Sequence, residues 1–169
     1  KVLDEEVTPN VDPKNVLIIF SGGEVLVRHD LEEAGREVTR RGYMWGMVTN
    51  GMSLTRERLK SLVDAGLRSV SVSFDGFEDV HNYIRQNPES FSRARQAIAN
   101  IRAYKGLTYD VITCATPAMI DRLEEWKEFL ISEGISHWRI FSVFPAGRAK
   151  RDETLHLNAE QFRRLMEFI

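Results

Sequence analysis

The feature that most constrains this chain is a repetition. Apolar, β-branched runs begin near positions 16, 43, 67, 108 and 137, and the stretches between them carry apolar residues at helical spacing. Such alternation argues for an α/β fold of parallel strands joined by helical crossovers, either an open doubly wound sheet or a sheet curved into a barrel. The third run separates the two. In Ser69-Val70-Ser71-Val72-Ser73, period-2 alternation puts valines on one face and serines on the other. An open sheet covered by helices wants apolar residues on both faces. A serine face suits a wet interior, so the sequence favours a partial TIM-like barrel of about five parallel strands; a packed small-residue contact with a helix is the alternative.

Taken in order, Lys1 to Asn15 is a polar, irregular lead-in, and Val16 to Phe20 is the first strand, emptying into Ser21, Gly22, Gly23 and Glu24. Asp30 caps a helix through Leu31, Ala34 and Val38 to Gly42; Tyr43 to Val48 is the second strand, ending in Thr49-Asn50-Gly51. Thr55 caps a helix with Leu59, Leu62 and Val63 on one face, and Leu67 to Phe74 is the third strand, ending in Asp75-Gly76. Helices over Glu78 to Arg85 and Phe91 to Tyr104 lead to the fourth strand, Thr108 to Cys114. A helix from Ile120 to Ser132 precedes the fifth, His137 to Phe144, and the loop Pro145 to Asp152 follows. No interior linker interrupts this, so one domain over residues 1–169 is expected, with a lead-in at 1–15 and the start of a helix at 158–169.

Composition removes several function classes. Lys plus Arg is 23 against 25 for Asp plus Glu, a net charge of -2, which argues against nucleic acid or an anionic membrane as partner. No apolar run approaches the ~20 residues of a membrane span, so a cytoplasmic setting is expected. Cys114 is the one cysteine, which excludes an internal disulfide and any site needing several thiolates from this chain.

In both parallel architectures ligands gather at the carboxyl ends of strands, and here those ends are polar and glycine-rich. Gly22 and Gly23 leave the main chain uncovered, and Glu24 adds a fixed negative charge, a corner suited to an ammonium group. Singly, Asn-Gly and Asp-Gly are turn signals; repeated at successive strand ends, they point to one mouth. Asp75 fixes the turn with Gly76 more readily than it touches a ligand. His81 shares a helix face with Ile84 and suits packing or capping, Cys114 suits an inert buried thiol, and Arg148 and Lys150 either meet an acidic group or keep their loop solvated.

Gly22-Gly23-Glu24 after an apolar strand, Thr49-Asn50-Gly51 after the next, Ser73-Phe74-Asp75-Gly76 with His81 and Arg85 following, and a strand ending FPAGRA together resemble the radical S-adenosylmethionine (radical SAM) enzymes. The resemblance covers roughly Val16 to Ala149 and is nearest to the branch with peptide-modifying, sulfatase-maturing and haem-biosynthesis members carrying C-terminal cluster-binding extensions. It implies a partial (β/α)6 barrel. Gly22, Gly23 and Glu24 would hold the methionyl ammonium of S-adenosylmethionine (AdoMet), Ser73 its ribose or carboxylate end, Arg85 its carboxylate and Phe144 its adenine. Gly147 would lie in the adjoining loop, and Thr49 and Asn50, with Asp75 as a weaker candidate, would line the mouth. A peptide or tetrapyrrole precursor is the implied substrate class.

The family's [4Fe-4S] cluster needs three thiolates from a CxxxCxxC loop after the first barrel strand, and this chain has no such motif. The GGE strand would then be the second of the parent barrel, the first being missing. The parent would reduce AdoMet through the cluster and abstract hydrogen with a 5'-deoxyadenosyl radical, while this chain alone would be inactive. Val25 also departs from the usual proline after the glutamate. A missing first strand would expose Val16 to Phe20 as an edge, so a homodimer or strand exchange is expected there. Two other readings stay open: a clusterless barrel that binds a nucleotide or peptide, and an unrelated barrel enzyme using Glu24 or Asp75 for acid–base work. The second needs a titratable partner that the sequence does not offer.

Overall fold

The structure, a computed structural model, describes residues 2–169, with the side chains of Gly147 and Arg148 outside the described part. The chain divides into two compact units, Lys1–Val72 with Arg93–Tyr109, and Ser73–Ser92 with Asp110–Ile169.

In the first unit, β1 (Leu17–Phe20), β2 (Met44–Thr49) and β3 (Leu67–Ser73) run parallel, β1 on β2 and β2 on β3. Their crossovers are α1 (Leu31–Arg40) and α2 (Arg56–Asp64). One strand face is dry. Trp45, Met47, Leu67, Val70 and Val72 on it are fully buried, together with Leu59 and Leu62 of α2. Burial of each such side chain stabilises the fold by roughly 1.5–3 kcal/mol. The Trp45 indole does not sacrifice its polar atom, since Nε1 donates to the Ala65 carbonyl at 3.2 Å. Register pairs Ile19 with Gly46 and Gly46 with Ser69 on the opposite face, where Ser71 and Ser73 also fall. The two-faced character of β3 expected from Ser69 to Ser73 holds in register, valines on one face and serines on the other, with Ser71 itself buried.

The lead-in is more ordered than its composition suggests. A π-helical turn at Leu3–Val7 and a 3-10 turn at Pro13–Asn15 replace an irregular segment. Two tertiary contacts account for it: Thr8 Oγ1 lies 2.8 Å from the Tyr43 hydroxyl, and Asp4 pairs with Arg41.

In the second unit α3 (Glu78–Arg85) is followed by β4 (Thr108–Ala115), the short α5 (Pro117–Ile120), α6 (Leu123–Ser132), β5 (Trp138–Ser142) and α7 (Ala159–Phe168); β4 and β5 pair in parallel. The helix α4 (Ser90–Arg102) starts with Ser90–Ser92 in this unit and belongs from Arg93 on to the first. The core here is aromatic. Phe74 packs edge-on to Trp126 at 4.9 Å between centroids, and Trp126 stacks on Phe129 at 5.1 Å. Fully buried Thr113 is saturated: its hydroxyl donates to the Phe74 carbonyl at 2.7 Å and accepts from the indoles of Trp126 and Trp138. The fifth strand stops at Ser142, two residues before Phe144, and the single helix expected from Ile120 is split at Asp121 and Arg122 into α5 and α6. Pro117 starts the first piece at its first turn, and Trp126 N–H donating to the Arg122 carbonyl begins the second. Among the described residues no helix is long and apolar enough to cross a membrane.

Candidate functional site

The first unit presents one carboxylate corner. Directly after β1, Gly22 adopts φ +132°, a backbone conformation that L side chains rarely take. A Cβ built on Gly22 or on Gly23 would meet no heavy atom within 4 Å, so the main chain there is bare and faces open space. Glu24 follows and caps a 3-10 turn at Val25–Val27. Its Oε1 accepts from the Thr49 hydroxyl at 2.7 Å and from Leu26 N–H at 3.1 Å, and its Oε2 accepts from Asn50 N–H at 2.7 Å. The Asn50 side chain turns to its own backbone, Oδ1 accepting from Met52 N–H at 2.9 Å. Gly51, at φ +79°, lets the turn pass against Ala94 of α4, where a Cβ would come within 3.0 Å.

The second unit presents a closed one. Asp75 is fully buried immediately after β3. Its Oδ2 accepts from Arg85 Nε at 2.7 Å and lies 2.6 Å from the second guanidinium nitrogen, while Oδ1 accepts from Cys114 N–H at 3.1 Å. Asp75 N–H donates to His81 Nδ1 at 3.0 Å, which places the proton of the neutral ring on Nε2. Burial alone would push the Asp75 pKa up; the Arg85 guanidinium and the Cys114 N–H act in the other direction and leave it below the ordinary aspartate value. The same burial, with the Asp75 charge beside it, pushes the Cys114 thiol up to about 11. His81 is fully buried, edge-on to Phe74 at 5.4 Å. A cavity of about 630 Å³ opens beside this cluster, lined by Arg85, Cys114, Val143 and Asp152 among others.

Of the residues named from sequence, the structure brings Glu24, Thr49 and Asn50 into hydrogen-bond contact, and separately Asp75 with Arg85. Ser73 is the last residue of β3 and half-buried. Phe144 is 80% exposed, beyond the end of β5. Gly147 begins a 3-10 turn and lies outside the residues whose side-chain surroundings are described. Sequence reasoning missed the Asp75–Arg85 pair, for which no local spacing gives a signal. It also missed buried Asn100, which donates to the Leu54 carbonyl and accepts from Arg56 and Gln96. The signal was there: an asparagine on the apolar stripe Ala94, Ala97, Ile98, Ile101.

The residues fit one of the two groups the motifs imply. The bare Gly22–Gly23 main chain beside an anchored carboxylate has room and chemistry for the aminoacyl end of AdoMet. They do not fit an iron–sulfur cluster. One cysteine with a raised pKa is the whole thiol complement, and among the described residues no three His, Cys, Asp or Glu side chains could hold a metal ion.

Parallel strands joined by helices, with a bare glycine pair and an anchored carboxylate after the first strand, define an α/β protein with polar groups gathered at its strand ends. The model of the Radical SAM superfamily matches residues 3–130, and the chain belongs to that superfamily, whose members use AdoMet and a [4Fe-4S] cluster. It is 26% identical over 155 residues to an AdoMet-dependent heme synthase of Oleidesulfovibrio alaskensis, covering 91% of this chain and 40% of the relative. It is 31% identical over 142 residues to the AdoMet-dependent heme synthase of Nitratidesulfovibrio vulgaris, covering 82% and 38%. The chain thus spans about two-fifths of the length of the curated relatives it matches. Among solved structures it is similar to native anSMEcpe with bound AdoMet and the Kp18Cys peptide, with TM-score 0.75 at 17% identity, covering 90% of this chain and 44% of that one. That likeness establishes the fold, a partial TIM-like (β/α) fold.

Proposed function

We propose that this chain is the AdoMet-binding part of the core domain of a radical SAM enzyme. The observation that carries the reading is the Gly22–Gly23 main chain, bare on its ligand side, next to a Glu24 carboxylate anchored at 2.7 Å by both Thr49 and Asn50. Bound AdoMet supplies an electrophilic sulfonium flanked by its adenosyl and methionyl groups. Backbone carbonyls of Gly22 and Gly23 and the Glu24 carboxylate take the methionyl ammonium. Asn50 is assigned to the lining of the same corner, and Asp75, fully buried and paired with Arg85, is left out of it.

The substrate class follows the relatives. Heme synthases align over 91% and 82% of the chain, which supports a tetrapyrrole precursor, and the peptide bound to anSMEcpe supports a peptide. Since the thiolates of the cluster are not in this chain, we infer that it does not cleave AdoMet unaided. We also infer self-association through β1, where Leu17 and Ile19 are 44% and 43% exposed; sedimentation giving a concentration-independent monomer contradicts this. Equilibrium dialysis with labelled AdoMet tests the main reading. Saturable binding, with no 5'-deoxyadenosine formed under dithionite, is expected, and absence of binding overturns it.

A further inference from the structure

The corner at Glu24 contains a constraint on what it can hold. A carboxylate offers about four acceptor positions. Among the described residues three donors already reach Glu24: the Thr49 hydroxyl and Leu26 N–H at Oε1, and Asn50 N–H at Oε2. One position on Oε2 is left, enough for a single N–H and too few for a guanidinium that grips two oxygens at once.

Thr49 is what makes this arrangement rigid. Gly51 N–H donates to Thr49 Oγ1 at 3.1 Å, so the hydroxyl proton has one direction open to it, toward Glu24. The side chain is 2% exposed and continues along β2 the dry row of Trp45 and Met47 rather than the opposite row of Gly46 and Val48. A residue so placed does not reach a ligand lying on the glycine main chain. The turn that holds it is itself backed by α4, whose Ala94 and Ala97 lie 3.0 and 3.2 Å from where a Gly51 Cβ would stand. We propose that Thr49 is a positioning residue: it donates to Glu24 Oε1, fixes the carboxylate plane, and leaves Oε2 one acceptor for a single N–H of a primary ammonium. This moves Thr49 from lining the site to aiming it, and it rests on the AdoMet-binding reading above.

The test is AdoMet affinity of the chain for wild type, Thr49→Val and Thr49→Ser, with 5'-methylthioadenosine, which lacks the ammonium and carboxylate, as second probe. Wild type binds AdoMet. Thr49→Val is expected to bind it about tenfold more weakly, the loss of one charge-assisted hydrogen bond, with 5'-methylthioadenosine affinity unchanged and Thr49→Ser restoring AdoMet affinity to within about twofold. Thr49→Ala, read the same way, serves if Thr49→Val does not fold. Equal AdoMet affinity of Thr49→Val and wild type overturns the proposal alone. So does an equal loss for both probes, which marks general damage to the turn. A wild-type chain that binds neither probe overturns the AdoMet reading, and the proposal with it.

Discussion

Two carboxylates stand at the ends of parallel strands in this chain, and they do opposite things. Glu24 is held by a hydroxyl and two backbone N–H groups, all neutral donors, and the glycines before it leave open space. Asp75 is fully buried, and its carboxylate is held by a guanidinium and a backbone N–H. Neutral donors orient a carboxylate without neutralising it, which is what the role proposed for Glu24 needs. A guanidinium neutralises it, so Asp75 serves to tie β4, through Cys114, to the end of α3, through Arg85. The lesson concerns motif reading: acidic residues beside glycines at strand ends look alike in sequence, and what pairs with them decides whether they form a site or a structural knot.

The comparison breaks most readily at Asp75. Asp75→Ala leaves Arg85 without its partner and the Cys114 N–H unsatisfied, and should cost about 3 kcal/mol in urea unfolding. A loss under about 1 kcal/mol would remove the structural role. Because the folded pKa of Asp75 is depressed below 3.8, its contribution is fully present above that value and is lost as pH falls through the lower, folded value. The stability gap between wild type and Asp75→Asn should therefore be constant near neutrality and close in acid.

Cys114 gives the next effect. A thiol shifted from 9.0 to about 11 has roughly a hundredfold less thiolate at pH 8, so its alkylation should be slower by at least that factor than that of a free cysteine. Rapid labelling in the native state would show the Asp75 cluster to be open. Two glycine substitutions sharpen the contrast further. Gly76→Ala puts a Cβ 2.4 Å from Met119 Sδ at φ +141° and should destabilise by about 1–3 kcal/mol. Gly23→Ala meets nothing within 4 Å and should change stability by no more than about 0.5 kcal/mol while weakening AdoMet binding. A Gly23→Ala chain that binds as well as wild type would contradict the site.

Most of the elements were legible because their signals are local. The helix from Glu78 to Arg85 lies where its spacing put it, and the GGE, TNG and DG turns all fall at strand ends. Alternation in Ser69 to Ser73 put valines on one face and serines on the other, as the register has it, but burial does not separate the faces, since Ser71 is buried with Val70 and Val72. What escaped was pairing at a distance. Nothing around Thr49 announces that its hydroxyl meets a carboxylate 25 residues earlier, and nothing around Arg85 announces that Asp75 holds it. Order in the lead-in depended likewise on Tyr43 and Arg41. Hydrophobic periodicity fixes which face a residue takes, and polar partners are fixed only once the strands are in register.

Amide hydrogen exchange with and without AdoMet tests the distinction most directly. Exchange at the Gly23 and Glu24 amides should slow when AdoMet is added, while the Asp75 and Cys114 amides, already bonded to His81 and to the Asp75 carboxylate, should be protected equally in both states. Slowing confined to Asp75 and Cys114, with Gly23 and Glu24 unchanged, would place the ligand at the wrong carboxylate and contradict the account.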